Sequence, residues 1–309
     1  MSSMSKLYLA GIYTSNFAKT SQLYHRLDPR EKAARDGVKH ILESYHYIHK
    51  QSYVDKIRAD GVQVFLDSGA FSAFSKGAEV DLPAYCEYIL RNKDIILHED
   101  GVCLASVLDG IGDPLKTWQN QMAMESLGVR PLPCFHYGED ERYLEYYMAN
   151  YPYITLGGMV PISTAQLLHW LDRLWEKYLT DGSGRPKLKV HGFGLTTQVL
   201  MDRYPWWSID SSTWVQNAAM GYVFIPGHGS ISVSSQSPDA KKIGKHLHTV
   251  SPMTRAAIEA KIRGLGFDPD KLSEHYLARW AFNCWSFTQR GDDLEGREPV
   301  FKPVKMELF

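Results

Sequence analysis

The sequence has little cysteine, no excess of either charge and no long apolar run. Its 309 residues include four cysteines, which lie far apart and form no Cys-x-x-Cys pair. A disulfide framework and a cysteine-rich zinc site are therefore not expected, and isolated thiols suit a reducing cytoplasm. The formal net charge is −1, from 34 basic and 35 acidic residues. This balance argues against a generally basic nucleic-acid-coating protein, although it leaves room for a local basic patch.

The chain also lacks the signals of a membrane or secreted protein. No apolar stretch approaches the roughly 18–20 residues that a membrane-spanning helix needs. The first apolar run, residues 7–13, passes directly into a polar segment, which is typical of a buried strand and not of a signal peptide. We therefore expect a cytoplasmic protein with no membrane partner, or one in the host cytoplasm if a phage encodes it.

Apolar runs of strand length recur along the chain, and a helical pattern follows most of them. The runs are nearly continuous, as expected for strands of a parallel sheet that is buried on both faces. The eight candidates are residues 7–13, 62–67, 102–108, 132–137, 153–158, 188–194, 206–210 and 222–226. Eight strands alternating with helices favour an α/β fold of the TIM-like (β/α)8 type, which needs about 250 residues. A doubly wound sheet alternates in the same way and stays an alternative.

Helical patterns add detail to this barrel. Apolar residues in 164–179 recur at helical spacing, and Asp113 followed by Pro114 predicts the cap and first residue of another helix. Residues 28–49 also have a helical pattern, so we expect an insertion after strand one.

Two more helices, at residues 253–265 and 272–288, are predicted after the last strand. We therefore predict two parts of the chain. Residues 1–240 form the TIM-like barrel, and residues 241–309 form a helical C-terminal extension packed on it.

Acidic residues end three of the predicted strands. Asp67, Asp109 and Asp210 each follow an apolar run directly, and barrel enzymes have their active sites at these strand ends. A single Asp here often caps the next helix, which is the interpretation that fits Asp113. Three such residues indicate a carboxylate cluster. That cluster suits chemistry at a sugar anomeric carbon, with one Asp attacking C1′ and another moving a proton.

Short motifs surround these carboxylates in a fixed order. The most specific is Asp67-Ser68-Gly69-Ala70-Phe71. The others are Leu108-Asp109, Cys134-Phe135-His136-Tyr137-Gly138, Leu156-Gly157-Gly158, His191-Gly192-Phe193-Gly194 and Ser208-Ile209-Asp210-Ser211. Over about residues 60–215 this order resembles the guanine transglycosylase family, whose members are barrels that exchange a guanine in a nucleic acid for a 7-deazaguanine.

The resemblance assigns roles position by position. It implies that Asp210 is the nucleophile, that Asp67 is the general acid and base, and that Asp109 recognises the guanine edge. It needs no cofactor and no metal. The substrate-binding residues that it implies are Asp109, Ser68, Gly69, Phe71, His136, Gly157, Gly158, His191 and Gly192.

Departures from the tRNA-acting members of the family point to another polymer. Ala70 and Ser72 replace a Gly and a Gln of their motif, and His136 stands where they have a pocket Gln. Cys284 is the one cysteine after Asp210, so their zinc subdomain cannot form. The chain is most similar to the zinc-less, DNA-modifying branch of phages and bacterial DNA-modification systems. We therefore expect DNA and a 7-deazaguanine such as preQ0 as substrates, with tRNA as the alternative and DNA-modification proteins as possible partners.

A basic segment follows the predicted barrel and is our candidate for phosphate contacts, although a solvated helix face would look the same. Six basic residues stand against one acidic residue between positions 241 and 263: Lys241, Lys242, Lys245, Arg255, Lys261 and Arg263. A base inside a duplex cannot reach a barrel mouth, so it must flip out or belong to a single strand. Candidates for stacking on it are Phe71, Phe74, Phe193 and Trp214.

Two functions of other classes stay open on the same residues. A barrel glycoside hydrolase would use the same carboxylates, with water completing the reaction. A non-catalytic barrel that binds nucleobases or nucleic acids would keep the pocket alone.

Overall fold

A parallel sheet forms the centre of the structure, a computed structural model that describes residues 5–195 and 197–303. Seven strands pair in the order β3-β2-β1-β9-β8-β7-β6, all parallel. Two antiparallel hairpins, β4–β5 and β10–β11, lie outside this sheet. The strands β1–β11 are Lys6–Ala10, Ile41–Ser44, Phe65–Asp67, His98–Glu99, Val102–Cys103, Cys134–His136, Tyr153–Gly157, Lys189–Gly192, Ser208–Ser211, Tyr222–Ile225 and Gly229–Ser232.

Helices alternate with the strands of the central sheet. The helices α1–α14 are Gln22–His25, Pro29–Asp36, Tyr45–Ile48, Gln51–Ala59, Ala70–Ser75, Leu82–Arg91, Pro114–Ser126, Glu141–Asn150, Thr164–Leu174, Gln198–Arg203, Thr213–Ala219, Pro252–Gly264, Pro269–Glu274 and Tyr276–Glu295. A 3₁₀ turn, Lys93–Ile95, and a π-helical turn, Trp175–Leu179, complete the set. The predicted cap of α7 is confirmed, because the Asp113 side chain accepts a hydrogen bond from Lys116 N.

The sheet curls until its two edge strands meet the same short segment, residues 104–107. Leu66 N on β3 donates to Leu104 O at 2.9 Å, and Leu132 N, just before β6, donates to Ala105 O at 2.8 Å. These are isolated bridges and not a regular strand. The fold is therefore mixed α/β and compatible with a TIM-like barrel, with a curled seven-stranded sheet in place of the closed eight-stranded barrel that we predicted.

Side chains alternate between the inside of the curl and the surrounding helices. On β3, Phe65 packs inside the curl, while Leu66 packs toward the helices. The interior apolar layer consists of Tyr8, Leu42, Phe65, Leu104, Leu132 and Tyr153. Burial on both faces explains why the strands have continuous apolar sequences.

The insertion predicted after strand one is wrong. Residues 28–49 contain α2, β2 and α3, and β2 pairs with both β1 and β3 as a full member of the sheet. The sequence pattern did not reveal β2 because Glu43 interrupts its apolar run. Its buried carboxylate accepts hydrogen bonds from Tyr13 N at 2.5 Å and Thr14 Oγ1 at 2.8 Å, and these partners are distant in sequence.

Two other predicted strands are also corrected. Residues 222–226 form β10 of an outlying hairpin and take no place in the central sheet. Within residues 102–108, the regular strand is limited to β5, which pairs antiparallel with β4. Both segments are apolar enough for strands, but apolarity alone does not specify the partner.

The C-terminal region is helical, as predicted, with three helices in place of two. The predicted helix 272–288 divides at His275 between α13 and α14. Helix α14 packs along β1, so closely that a Cβ on Gly291 would lie 3.4 Å from Leu7 Cβ. Among the residues that the structure describes, no helix is long and apolar enough to cross a membrane.

A buried ion pair holds the loop after β1. The side chains of Arg35 and Asp60 are almost fully buried, with Arg35 Nη2 3.4 Å from Asp60 Oδ2. Tyr13 Oη and Lys19 N also donate to Asp60 Oδ2, and Arg35 Nε donates to Phe17 O. The pair therefore connects α2, the end of α4 and the loop between β1 and α2.

We expect Arg35→Met to destabilise the fold by about 3–5 kcal/mol, because it leaves a buried carboxylate without its counter-charge. Urea unfolding measures the loss. The matched control is Arg58→Met, which breaks the exposed pair with Asp94 and should cost less than about 1 kcal/mol. Equal losses in the two variants would contradict the assigned role.

Candidate active site

Asp67, Asp109 and Asp210 lie at the carboxyl-terminal edge of the curled sheet. Asp67 ends β3, Asp210 lies in β9 near its end, and Asp109 follows the bridging segment 104–107. The charges of Asp109 and Asp210 both raise the pKa of Asp67, so the three carboxylates are close enough to interact. The structure thus brings together the carboxylates that the sequence indicated.

Asp67 is a buried carboxylate with a strongly raised pKa. Its Oδ2 accepts from Ser44 Oγ at 2.7 Å and from Gly69 N at 3.0 Å, and Ser106 Oγ lies 3.4 Å from its Oδ1. Burial raises the pKa of Asp67, the hydrogen bond from Ser44 lowers it, and the nearby carboxylates raise it, for a value of about 6. A group with that pKa gains and loses a proton near neutral pH, as a general acid or base must.

The turn after Asp67 is fixed by one glycine. Gly69 has a φ of +73°, and a Cβ there would lie 2.6 Å from His46 Cβ. Ser68 is buried beneath the turn, with its N–H donating to Ser106 Oγ, so it supports the turn and does not line the pocket surface. Phe71, the second residue of α5, is 56 % exposed at the rim.

His136 lies between two carboxylates. Its Nε2 is 3.3 Å from Asp109 Oδ2, and its Nδ1 is 2.8 Å from Glu139 Oε1. Burial opposes a positive charge on the ring, but the Cys134 sulfur and the Asp109 carboxylate raise the pKa of His136 well above its ordinary value. His136 Nδ1 therefore forms a hydrogen bond with Glu139, and the contact of Nε2 with Asp109 is an ion pair when the ring is protonated.

One oxygen of Asp109 has no such partner. Asp109 Oδ1 is buried and accepts no hydrogen bond from any residue in the described ranges. A buried acceptor without a donor is costly, and a ligand N–H group at this point would remove the cost.

Two glycines make room beside His136. A Cβ on Gly157 would lie 2.8 Å from Cys134 Sγ and 3.0 Å from His136 Cδ2. Gly158 has a φ of +67°, and a Cβ there would lie 3.1 Å from His136 Cβ. Both predicted pocket glycines are therefore required for the position of His136, and Gly158 leaves its backbone exposed to a flat ligand.

Asp210 is held by one of its two oxygens. Oδ1 accepts from Gly194 N at 2.8 Å and lies 3.3 Å from His191 Nε2. Within residues 5–195 and 197–303, no group donates to Oδ2, and this atom is not among the buried polar atoms that lack a partner. The carboxylate therefore presents Oδ2 toward the open side of the site.

Two residues predicted to bind substrate have other positions. His191 is fully buried below Asp210, with its ring against Phe65 and Phe193. Gly192 faces outward, where a Cβ would lie 3.0 Å from the Trp206 ring. Successive residues alternate between the two faces of β8, which places His191 below Asp210 and Gly192 against Trp206. Neither residue reaches the pocket surface, so we correct both placements.

Sequence reasoning missed several residues of the site. Glu139 was not selected, although its position three residues after His136 was a usable signal. Ser44 was hidden in the unpredicted strand β2. Ser106 and Ser208 carry no local pattern, and their roles depend on contacts across the sheet.

Asp109, Cys134 and His136 also bring potential metal-ligand atoms within 4.8 Å of one another. Burial raises the pKa of the Cys134 thiol to about 11, and both His136 nitrogens face carboxylates. Metal ligation would require the thiolate and an imidazole nitrogen without a proton, so it would compete with the contacts between His136 and the two carboxylates. That the site needs no metal and no cofactor stays a prediction.

The predicted stacking residues divide into two groups. Phe74, on α5 with Phe71, is 63 % exposed and is free to stack on a base. Phe193 packs against His191 in the wall of the site. Trp214 has no exposed surface and packs against Phe17 and Trp280, so it has a packing role and is not accessible for stacking.

The basic segment is partly neutralised by its own neighbours. Lys242 pairs with Asp239, Lys261 donates to Pro226 O, and Arg255 and Arg263 both pair with Glu259. Lys241 and Lys245 are exposed, and no described residue pairs with them. These two lysines are the best candidates for phosphate contacts.

We expect His136 to stay protonated above the pH at which an ordinary histidine, with a pKa of about 6.5, becomes neutral. Asp109→Asn should lower the pKa of His136, because it removes a negative charge next to Nε2. NMR titration of the imidazole measures both values. The control is the exposed Asp293→Asn, which should change nothing, and a wild-type His136 that titrates near the ordinary value would contradict the expectation.

No protein-family model and no curated protein matches this chain.

Proposed function

We propose that this protein is a nucleic-acid guanine transglycosylase, a pentosyltransferase that exchanges guanine in DNA for a 7-deazaguanine of the preQ0 type. One observation carries the proposal: adjacent carboxylates have different chemical states. Asp210 has one oxygen held and one open, while Asp67 has a pKa of about 6. This combination suits a nucleophile beside a general acid and base.

The first half of the proposed reaction removes guanine. Asp210 Oδ2 attacks C1′, and the bond between C1′ and N9 breaks with its electron pair going to the base. Protonated Asp67 gives its proton to the departing guanine. The products are a covalent glycosyl-enzyme on Asp210, free guanine and an ionised Asp67.

The second half reverses these roles. N9 of the incoming 7-deazaguanine attacks C1′ and loses its proton to Asp67, and the bond between C1′ and Asp210 breaks. Asp210 returns as a carboxylate and Asp67 as an acid. Two inversions retain the β configuration, and the chemistry balances without a cofactor.

Base recognition is assigned to Asp109, His136 and the neighbouring glycines. The N–H edge of guanine suits the unpartnered Asp109 Oδ1, and His136 Nε2 lies beside the other oxygen of that carboxylate. The exposed backbone at Gly158 allows close approach of the planar ring, and Gly157 leaves room for His136.

DNA is the proposed polymer, with tRNA as the alternative. The exposed Phe71 and Phe74 offer surfaces for stacking next to the carboxylates, and stacking on aromatic rings is a common way to hold an extruded base. Lys241 and Lys245 would contact phosphates. DNA-modification proteins would be partners if the duplex must be opened, and the cytoplasm is the expected location.

We expect purified protein to incorporate labelled guanine or preQ0 into DNA, and Asp210→Asn to abolish incorporation because it removes the nucleophile. DNA and tRNA are offered separately, and a denaturing gel measures the covalent protein–DNA adduct. Asp293→Asn is the matched control, since it makes the same change at an exposed site.

Each of the other outcomes would favour one alternative over the proposed function. Label in tRNA alone would retain the mechanism and change the polymer. An Asp210-dependent adduct that water resolves, with no base incorporated, would indicate a glycosidase. Binding of nucleic acid without an adduct, equal in wild type and Asp210→Asn, would indicate a binding barrel and overturn the proposal.

We also expect the two half-reactions to depend on pH in opposite directions. Adduct formation needs protonated Asp67, so its rate should fall as pH rises through about 6. Adduct resolution by preQ0 needs ionised Asp67, so its rate should fall as pH drops, with a midpoint below that value because the ester on Asp210 no longer carries the charge that raises the pKa of Asp67. Single-turnover rates measure both steps.

In Asp67→Asn the pH dependence of both half-reactions should disappear. Each rate should fall by about 10²–10⁴-fold, the usual contribution of a general acid or base. Two half-reactions with the same pH dependence would contradict the role of Asp67.

A further inference from the structure

A chain of buried hydrogen bonds runs from Asp210 into the interior of the sheet. His191 Nε2 lies 3.3 Å from Asp210 Oδ1, and His191 Nδ1 lies 2.6 Å from Ser208 Oγ. Ser208 Oγ in turn lies 2.6 Å from Tyr153 Oη. His191, Ser208 and Tyr153 are all buried, so water does not substitute for any of these contacts.

The proton order in this chain follows from the chemistry of its ends. A carboxylate only accepts hydrogen bonds, so the contact with Asp210 requires a proton on His191 Nε2. Burial lowers the pKa of His191, so the ring is neutral and Nδ1 is an acceptor. Ser208 must then donate to Nδ1, and Tyr153 must donate to Ser208.

The ring itself cannot turn freely. Its centroid lies 4.6 Å from that of Phe65 and 4.5 Å from that of Phe193. Two aromatic rings therefore fix the plane of the imidazole, and Ser208 fixes which nitrogen carries the proton. The result is a single N–H group aimed at Asp210 Oδ1.

We propose that His191 and Ser208 are positioning residues for Asp210. Together with Gly194 N they hold Oδ1 by two hydrogen bonds, so that Oδ2 is the atom that attacks C1′. This inference rests on the proposed function, and it adds residues that touch neither base nor sugar. Tyr153 completes the chain by donating a hydrogen bond to Ser208 Oγ, which would otherwise be a buried acceptor without a partner.

The activity test is Ser208→Ala, which removes the donor to Nδ1. His191 can then carry its proton on Nδ1 and turn a lone pair toward Asp210. We expect the rate of adduct formation to fall by about 100-fold with little change in KM for DNA, because a histidine in the wrong tautomer supports its partner poorly. Ser208→Thr keeps the hydroxyl and should restore most of the rate.

A matched control separates positioning from loss of fold. Ser286 is also a fully buried serine, on α14, and its Oγ has no hydrogen-bond partner among the described residues. Ser286→Ala should leave the rate unchanged. If Ser208→Ala lowers the rate of adduct formation no more than Ser286→Ala does, the positioning role is overturned.

The second measurement does not depend on activity. Long-range ¹H–¹⁵N NMR of the imidazoles, assigned with His191→Gln, reports the tautomer of His191 directly. We expect neutral His191 with its proton on Nε2 in the wild type, and a shift toward Nδ1 in Ser208→Ala. A wild-type His191 that is protonated on Nδ1 alone, or on both nitrogens, would overturn the inference.

The two measurements fail in distinguishable ways. A wild-type protein that forms no adduct, yet has the Nε2 tautomer, would overturn the proposed function and support the arrangement around Asp210. A protein that exchanges bases, yet has the other tautomer, would retain the function and overturn the positioning role.

Discussion

The burial of three carboxylates in one pocket is the constraint on which the rest of the site depends. Burial, followed by the charges of Asp109 and Asp210, raises the pKa of Asp67 to about 6. Each carboxylate has different neighbours: Asp67 accepts from Ser44 and Gly69 N, Asp109 lies beside His136, and Asp210 is held by Gly194 N and His191. Three identical side chains therefore acquire three chemical characters from their neighbours alone.

The supporting neighbours come from different strands, which is why a parallel sheet suits this chemistry. Ser44 on β2 reaches Asp67 on β3, and Ser208 lies on the same strand as Asp210 with its hydroxyl turned toward His191 on β8. Residues two apart on a strand share a face. Polar side chains just below the carboxylates therefore form a second level, with the apolar interior layer beneath it.

The sequence predicted the central strands where burial on both faces leaves a continuous apolar run, as in β1, β7 and β8. It failed at β2, where Glu43 breaks that run and is satisfied by Tyr13 and Thr14 from another part of the chain. The three Asp residues were recognisable because each ends an apolar run. The proposed role of His191 was not recognisable from the sequence. Only the fold shows that His191 faces Asp210 and Ser208, with no surface left for a ligand.

The packing of α14 on β1 has a consequence for how the chain reaches this structure. Strand β1 is covered by a helix that is synthesised much later, with Gly291 against Leu7. Contacts of such large sequence separation form late, because a long loop must close before they are gained. Until α14 leaves the ribosome, the outer face of β1 is an apolar surface without its cover. Aggregation and chaperone binding during synthesis would therefore concentrate on that face.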